Sequence, residues 1–353
     1  MKNIHIVFVI VLSTILLGCN DNNSNTEKYQ MNRDYNIIDV SDKITDLPNM
    51  LPVRFCTNIK IINNLLIIMD SKATHKGIHI YNKNSFKHLA TTGYIGKGPG
   101  EIVNYGNIVP LKNENAFLLP DYGKLVITKF YIDSILNDST YKPIQIQNFA
   151  KFNFCTEYES INDTIFLGMI VNILKNRTFR KCMAKYNIIT NKMEQFGYHH
   201  PISESNDRKK TYFRFKIFPK NNIYVRCYSR SDLITICDLD GNLKYNIYGP
   251  GWKNNKNNRK DFFTHKVEAY NKYIITSYLG KNGITFDENK RPHGVLPTKF
   301  LVFDFEGNYI KTIETNHHIA NWGVDEDNKR IIAYFDDIDV EFGYINIDFL
   351  DKL

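Results

Sequence analysis

The sequence has no Cys-x-x-Cys spacing, no second apolar run long enough to cross a bilayer, and almost no helical periodicity. Beyond Cys19 it carries five cysteines, Cys56, Cys155, Cys182, Cys227 and Cys237. An odd number cannot all pair within the chain, and no spacing suits zinc, so small buried residues are expected. Cys227 and Cys237 flank the turn at 229–232, but a hairpin there sets Cys227 opposite Ile234 and Cys237 opposite Tyr224. No nucleophile–base pair, metal triad or cofactor loop stands out, so neither a metal nor a cofactor is expected. Tryptophan is scarce too: Trp252 and Trp322 are the only two.

Acidic residues are outnumbered, with a formal net charge of +8 that becomes +7 once Lys2 is removed with a signal peptide. A basic excess can serve a polyanion. Here Lys, Asn, Ile, Tyr and Phe are all abundant together, the bias A+T-rich coding yields without such selection. No nucleic-acid partner is expected.

What is present begins at the N-terminus. Lys2 precedes an apolar stretch from Ile4 to Leu17, and Gly18 and Cys19 close it. That length suits a cleaved secretory signal rather than a spanning helix. The run Leu16-Leu17-Gly18-Cys19 resembles a bacterial lipobox, which implies acylation of Cys19, a bilayer as partner, and a place in the cell envelope, at the outer membrane. Residues 1–18 are then the signal peptide and the polar residues 19–34 a flexible tether. The folded domain spans 35–353.

In that domain, runs of β-branched and aromatic residues alternate with Asn, Asp, Gly and Lys turns, an all-β pattern. The strands recur in a frame. Ile234–Leu243 and Leu301–Ile310 each read strand, Asp-x-x-Gly-Asn turn, returning strand. Weaker copies end at Asn82 and Asn187, and looser ones at Lys129 and Asp348. The gaps between 82, 129, 187, 238, 304 and 348 are 47, 58, 51, 66 and 44 residues. Their mean of about 53 suits four-stranded propeller blades, so six blades are expected. Residues 281–297 read as a loop insertion that lengthens the fifth gap. The strand-like Tyr35–Val40 has no blade of its own and is expected to close the ring on the last blade, which otherwise leaves open edges.

Together the lipobox, the repeat and the segment Gly93-Tyr-Ile-Gly-Lys-Gly-Pro-Gly-Glu101 resemble the six-bladed TolB-like β-propeller lipoproteins of gut anaerobes. The resemblance implies a membrane-anchored propeller and supplies no catalytic residues.

The loop Gly96, Gly98, Pro99, Gly100 and Glu101 fails the phosphate-loop pattern, because Lys97 is followed by Gly98 rather than Ser or Thr. It reads as a structural turn between blades one and two, with Glu101 capping backbone amides. His199-His200 and His317-His318 are adjacent pairs whose members point to opposite faces, so neither pair chelates an ion alone. With Trp252, in a Gly/Pro-rich loop suited to stacking on a sugar, they are the candidate binding residues. The first functional expectation is a non-catalytic binding or scaffold lipoprotein presenting loops and a central channel to a glycan, peptide or protein. The alternative is a hydrolase or lyase with axial His and carboxylate residues drawn from separate blades.

Overall fold

A computed structural model describes residues 26–149, 154–173, 179–204, 208–252, 260–336 and 341–352. Among these, six sheets of four or five strands form the blades of a ring, and a separate two-stranded ribbon stands beside them. Each blade opens with an inner strand: Cys56–Ile62, Val109–Pro110, Glu157–Ser160, Phe213–Phe218, Asp261–Tyr270 and Ile319–Asp325. The sheets then run outward antiparallel in chain order. The six frame positions fall within or just beyond the third strand of each blade. In blades four and five the turns are near copies. Asp238 accepts from the backbone N–H and side-chain amide of Asn242 at 2.8 and 3.0 Å, and Asp304 does the same for Asn308 at 2.8 Å each. Gly241 and Gly307 take the positive φ (95° and 81°) that the turn demands.

The core is six separate seams rather than one centre. Each of six buried apolar clusters joins residues of two neighbouring blades. One runs from Ile67 and Ile80 of blade one to Phe117 and Phe130 of blade two. Another runs from Ile275 and Phe300 of blade five to Trp322 and Ile331 of blade six. The remaining four clusters fill the other seams in turn. This is why the strands are apolar on both faces in the middle of each blade: a propeller sheet is covered on both sides by its neighbours. All five described cysteines are buried and free, and Cys227 pairs with Ile234 and Tyr224 with Cys237 in register.

The ring is closed by an N-terminal strand on the last blade, but ten residues later than expected. Thr45–Asp46 pairs antiparallel with Phe342–Asn346 as the fourth strand of blade six. Ile37–Asp39, in the segment expected to close the ring, instead adds a fifth, parallel strand to blade five. The stretch from 26 to 34 is likewise no free tether. Glu27–Tyr29 adds a parallel fifth strand to blade four, where Glu27 accepts hydrogen bonds from Asn246 (2.8 Å) and Tyr248. Arg33 is buried between blades four and five, ion-paired to Asp232 at 3.1 Å, with its guanidinium over the rings of Tyr278 and Phe303. Val40 then fills the seam between blades five and six. Residues 26–46 therefore strap three consecutive blades. The signal peptide and Cys19 lie outside the described residues. The insertion at 281–297 is not plain loop, since Ile284–Phe286 and Pro292–Gly294 form the two-stranded ribbon.

Candidate functional site

Inner strands line the axis of a propeller, and alternation along them sends every second side chain inward. Here the inward positions carry charge in four blades: Lys60, Glu157 and Glu159, Arg214 and Lys216, Lys266 and Glu268. Lys60, Glu159, Lys216 and Glu268 close a ring of alternating sign. Lys60 lies 3.3 Å from Glu159 and 3.7 Å from Glu268, and Lys216 lies 3.3 and 3.0 Å from the same two carboxylates. Lys266 joins from the side at 3.4 Å from Glu268. Burial pushes the Glu268 carboxyl upward, but Lys216, Lys60 and Lys266 outweigh it and hold the group well below the usual range. Burial likewise opposes the charge on Lys216, and Glu159 and Glu268 hold it above the usual lysine range.

This ring divides the axis into two cavities. The upper one, about 380 Å³, opens where the inner strands begin. The lower one is about 270 Å³, and Lys60, Glu159 and Glu268 face both. Asn58, Asn107, Asn321, Tyr105 and Thr57 supply polar groups to the upper wall, and Phe55, 53% exposed, stands among its lining residues. Arg214 and Glu157 pair on the same wall. Asn58 donates to Asn107 Oδ1 at 3.4 Å, while its own Oδ1 is buried with no hydrogen-bond partner among the described residues. His265 also lines this cavity; burial, with Arg214 and Arg230 nearby, drives its imidazole down to about 4, so it is neutral at pH 7. A volume of this order suits a small ligand.

The residues singled out from the sequence are elsewhere. His199, His200, His317, His318 and Trp252 line neither axial cavity. His200 is buried; its Nδ1 accepts the Ile202 N–H at 3.0 Å and its Nε2 lies 2.9 Å from the Tyr248 hydroxyl, which donates to Glu27. It therefore helps fasten the N-terminal strand, and burial lowers its pKa to about 4 despite Glu27. His199 meets Gln195 at 2.7 Å. His317 packs edge-on to Phe335 while His318 is exposed. The two pairs sit in different blades, after the outer strands of blades three and five. Trp252 is not a free rim aromatic: it is half-buried, 4.6 Å from the Tyr248 ring and 5.7 Å from His200. Among the described residues no group of three or more His, Cys, Asp or Glu is placed to hold a metal ion.

The glycine loop lies between blades one and two. Glu101 accepts the Gly98 N–H at 2.8 Å, and Lys124 donates to the carbonyls of Gly98 (2.6 Å) and Glu101 (2.7 Å). A Cβ on Gly96 or Gly98 would meet Glu101 Oε2 at 2.1 or 2.9 Å and displace that carboxylate from its capping position, and Gly100 has φ 69°, a backbone conformation that side chains rarely adopt.

The axial charges were missed, although a signal exists. Glu157-Tyr-Glu159, Arg214-Phe-Lys216 and Lys266-Val-Glu268 each alternate charged and apolar residues at the start of a blade.

A family model described as TolB-like 6-blade propeller-like matches residues 37–327. No functionally curated protein matches the sequence. Among solved structures, the chain is similar to a member of the DUF4221 family from Bacteroides vulgatus. The TM-score is 0.61 at 11% identity, covering 85% of this chain and 94% of that one. It is also similar to a Bacteroides fragilis protein inferred to be exported (TM-score 0.55, 12% identity, 87% of each chain). A luciferin-regenerating enzyme gives a TM-score of 0.52 at 9% identity, covering 85% of this chain and 93% of that one. At such identities the likeness is one of fold.

Proposed function

The chain belongs to the TolB-like six-bladed propeller family, and from that premise we propose that it is a membrane-anchored binding protein whose upper axial cavity takes a small hydroxylated ligand, such as the end of a glycan. The observation that carries this reading is the cavity itself. Its floor is a fixed ring of ion pairs, its walls carry amide and hydroxyl groups, and an exposed phenylalanine stands among its lining residues. Such walls hydrogen-bond hydroxyls while an aromatic face covers the apolar side of a sugar ring. A hydrolase or lyase is less favoured, because each carboxylate lining the upper cavity is already held by a cation: Glu157 by Arg214, Glu159 and Glu268 by lysines.

The anchor is read from Cys19; acylation of that thiol would hold the ring at the cell envelope, on the outer membrane. A glycan array probed with the full chain in detergent tests the binding. Hits that weaken with Asn58→Ala and Phe55→Ala support it, and hits indifferent to both overturn it. Cys19→Ala is expected to release the protein from the membrane fraction; unchanged retention refutes the anchor.

A further inference from the structure

We infer that the ligand of the upper cavity carries a carboxylate, as a uronic acid does, and that Lys266, with Lys60, receives it. This rests on reading that cavity as a binding site. The argument is one of charge balance at short range. Around the ring, three ammonium groups (Lys60, Lys216, Lys266) meet two carboxylates (Glu159, Glu268). Lys216 is flanked by both carboxylates, and so is Lys60. Lys266 has Glu268 alone, at 3.4 Å, and shares it with the other two lysines. Its remaining partners are neutral oxygens: Asn321 Oδ1 at 3.1 Å, the Trp322 carbonyl and the Ile59 carbonyl at 3.5 Å. A buried ammonium without its own counter-charge is costly, and a ligand carboxylate would complete the set.

Among the described residues no other carboxylate is paired with Lys266. Glu157 is paired with Arg214. Asp70 accepts the N–H groups of Arg54, Phe55 and Lys72 at 2.9–3.0 Å. The Cys56 thiol is pushed up to about 12 by burial and stays protonated, and His265 is neutral. Asn58 and Ser277 are uncharged. Burial, aided by Lys60 and Lys216, pulls Lys266 down to about 8 against Glu268, the mark of a cation short of carboxylate. Lys266 lines the upper cavity and not the lower one, and the same wall carries the unpartnered Asn58 Oδ1, which calls for a donor such as a ligand hydroxyl.

The test is calorimetric titration of the full chain in detergent with D-galacturonate and D-galactose, which differ only at the acid carbon, and with a short oligogalacturonide. At pH 7 the acid is expected to bind roughly ten- to a hundredfold more tightly than galactose, the usual effect of a charge-assisted hydrogen bond. That preference should shrink as pH rises from 7 to 9.5 and Lys266 loses its proton. Lys266→Met should bring the two sugars within about twofold, and Lys266→Arg should keep the preference, with circular dichroism confirming that both variants fold. A tighter oligomer than monomer identifies a glycan end as the source of the acid, and equal affinity a free uronate. Galactose binding as tightly as the acid overturns this inference and leaves the cavity reading standing. An acid preference that survives both Lys266→Met and pH 9.5 overturns the assignment to Lys266. Failure of both sugars overturns the inference and the cavity reading together.

Discussion

Replacing Glu268 by Gln removes one charge and almost no volume, and so isolates the electrostatic part of the axial ring. Three ammonium nitrogens lie 3.0–3.7 Å from this one carboxylate, whose side chain is 10% exposed. Removing one partner of a buried pair typically costs about 3–5 kcal/mol, because the orphaned charges stay desolvated. Here the remaining Glu159 still touches Lys60 and Lys216, so a cost near 3 kcal/mol is expected. A chain of this size has an unfolding entropy of roughly 0.7 kcal/mol/K, so Tm should fall by about 4 °C. The sign with pH is specific. Lys266 has a folded pKa near 8, below its ordinary 10.5. It is charged at pH 6 and largely neutral at pH 9.5, so the deficit in Glu268→Gln should shrink as pH rises. For the same reason the contribution of Lys266 itself turns favourable as pH rises from 8 toward 10.5, while the five buried thiols, whose pKa values burial raises, cost the native chain stability as pH climbs past about 9. Thermal denaturation followed by circular dichroism at pH 6, 7.5 and 9.5, read as the difference between variant and native chain, isolates the Glu268 effect. A Tm within 1 °C of the native chain at pH 6, or a deficit that grows with pH, refutes the account of the ring as a shared counter-charge.

Two further outcomes follow from the strap. Arg33→Ala leaves the buried Asp232 carboxylate, among the described residues, with the Tyr278 hydroxyl (2.8 Å) and the Gly251 N–H (2.9 Å). It should cost on the order of 3 kcal/mol and expose residues 26–40 to limited proteolysis; an unchanged digestion pattern would count against it. His200 has a folded pKa of about 4 against an ordinary 6.5, so its contribution is complete above pH 6.5 and is lost as pH falls toward 4, on the order of 3 kcal/mol in all. His265 acts in the same window, so His200→Gln should flatten the acid limb of Tm against pH only in part; an unaltered limb contradicts the reading.

The repeat was legible because its signals are local. Asp238-x-x-Gly241-Asn242 and Asp304-x-x-Gly307-Asn308 form their turns from their own atoms, and spacing alone then counted the blades. Closure was legible in kind but not in place. Tyr35–Val40 has the β-branched content of a strand, yet blade five offers the same open edge as blade six, and local pattern does not choose between them. The strand that closes the ring, Thr45–Asp46, is two residues long and both are exposed, too little to show periodicity. The tether was misjudged because the polar residues Glu27, Lys28, Gln30 and Arg33 look solvated, although Glu27, Gln30 and Arg33 find partners more than 190 residues away. Trp252 lies among glycine and proline, a setting that suggests exposure, but Tyr248 and His200 lie against it. The axial ring escaped notice because its members come from blades one, three, four and five. Only the period-two charge at the start of blades three, four and five announces them, and Lys60 of blade one has no such signal.

The parallel pairing of the N-terminal strands has a mechanical consequence. Traction along the chain at residue 26 reaches the ring at blade four, two blades before the closing seam, and Glu27–Tyr29 meets it in shear, with several backbone hydrogen bonds strained at once. The Arg33 wedge and the Ile37–Asp39 strand would have to fail next, in order, before Thr45–Asp46 felt any tension. A ring tugged by whatever holds its N-terminus is thereby protected at its weakest join, the two-residue strand that completes the last blade.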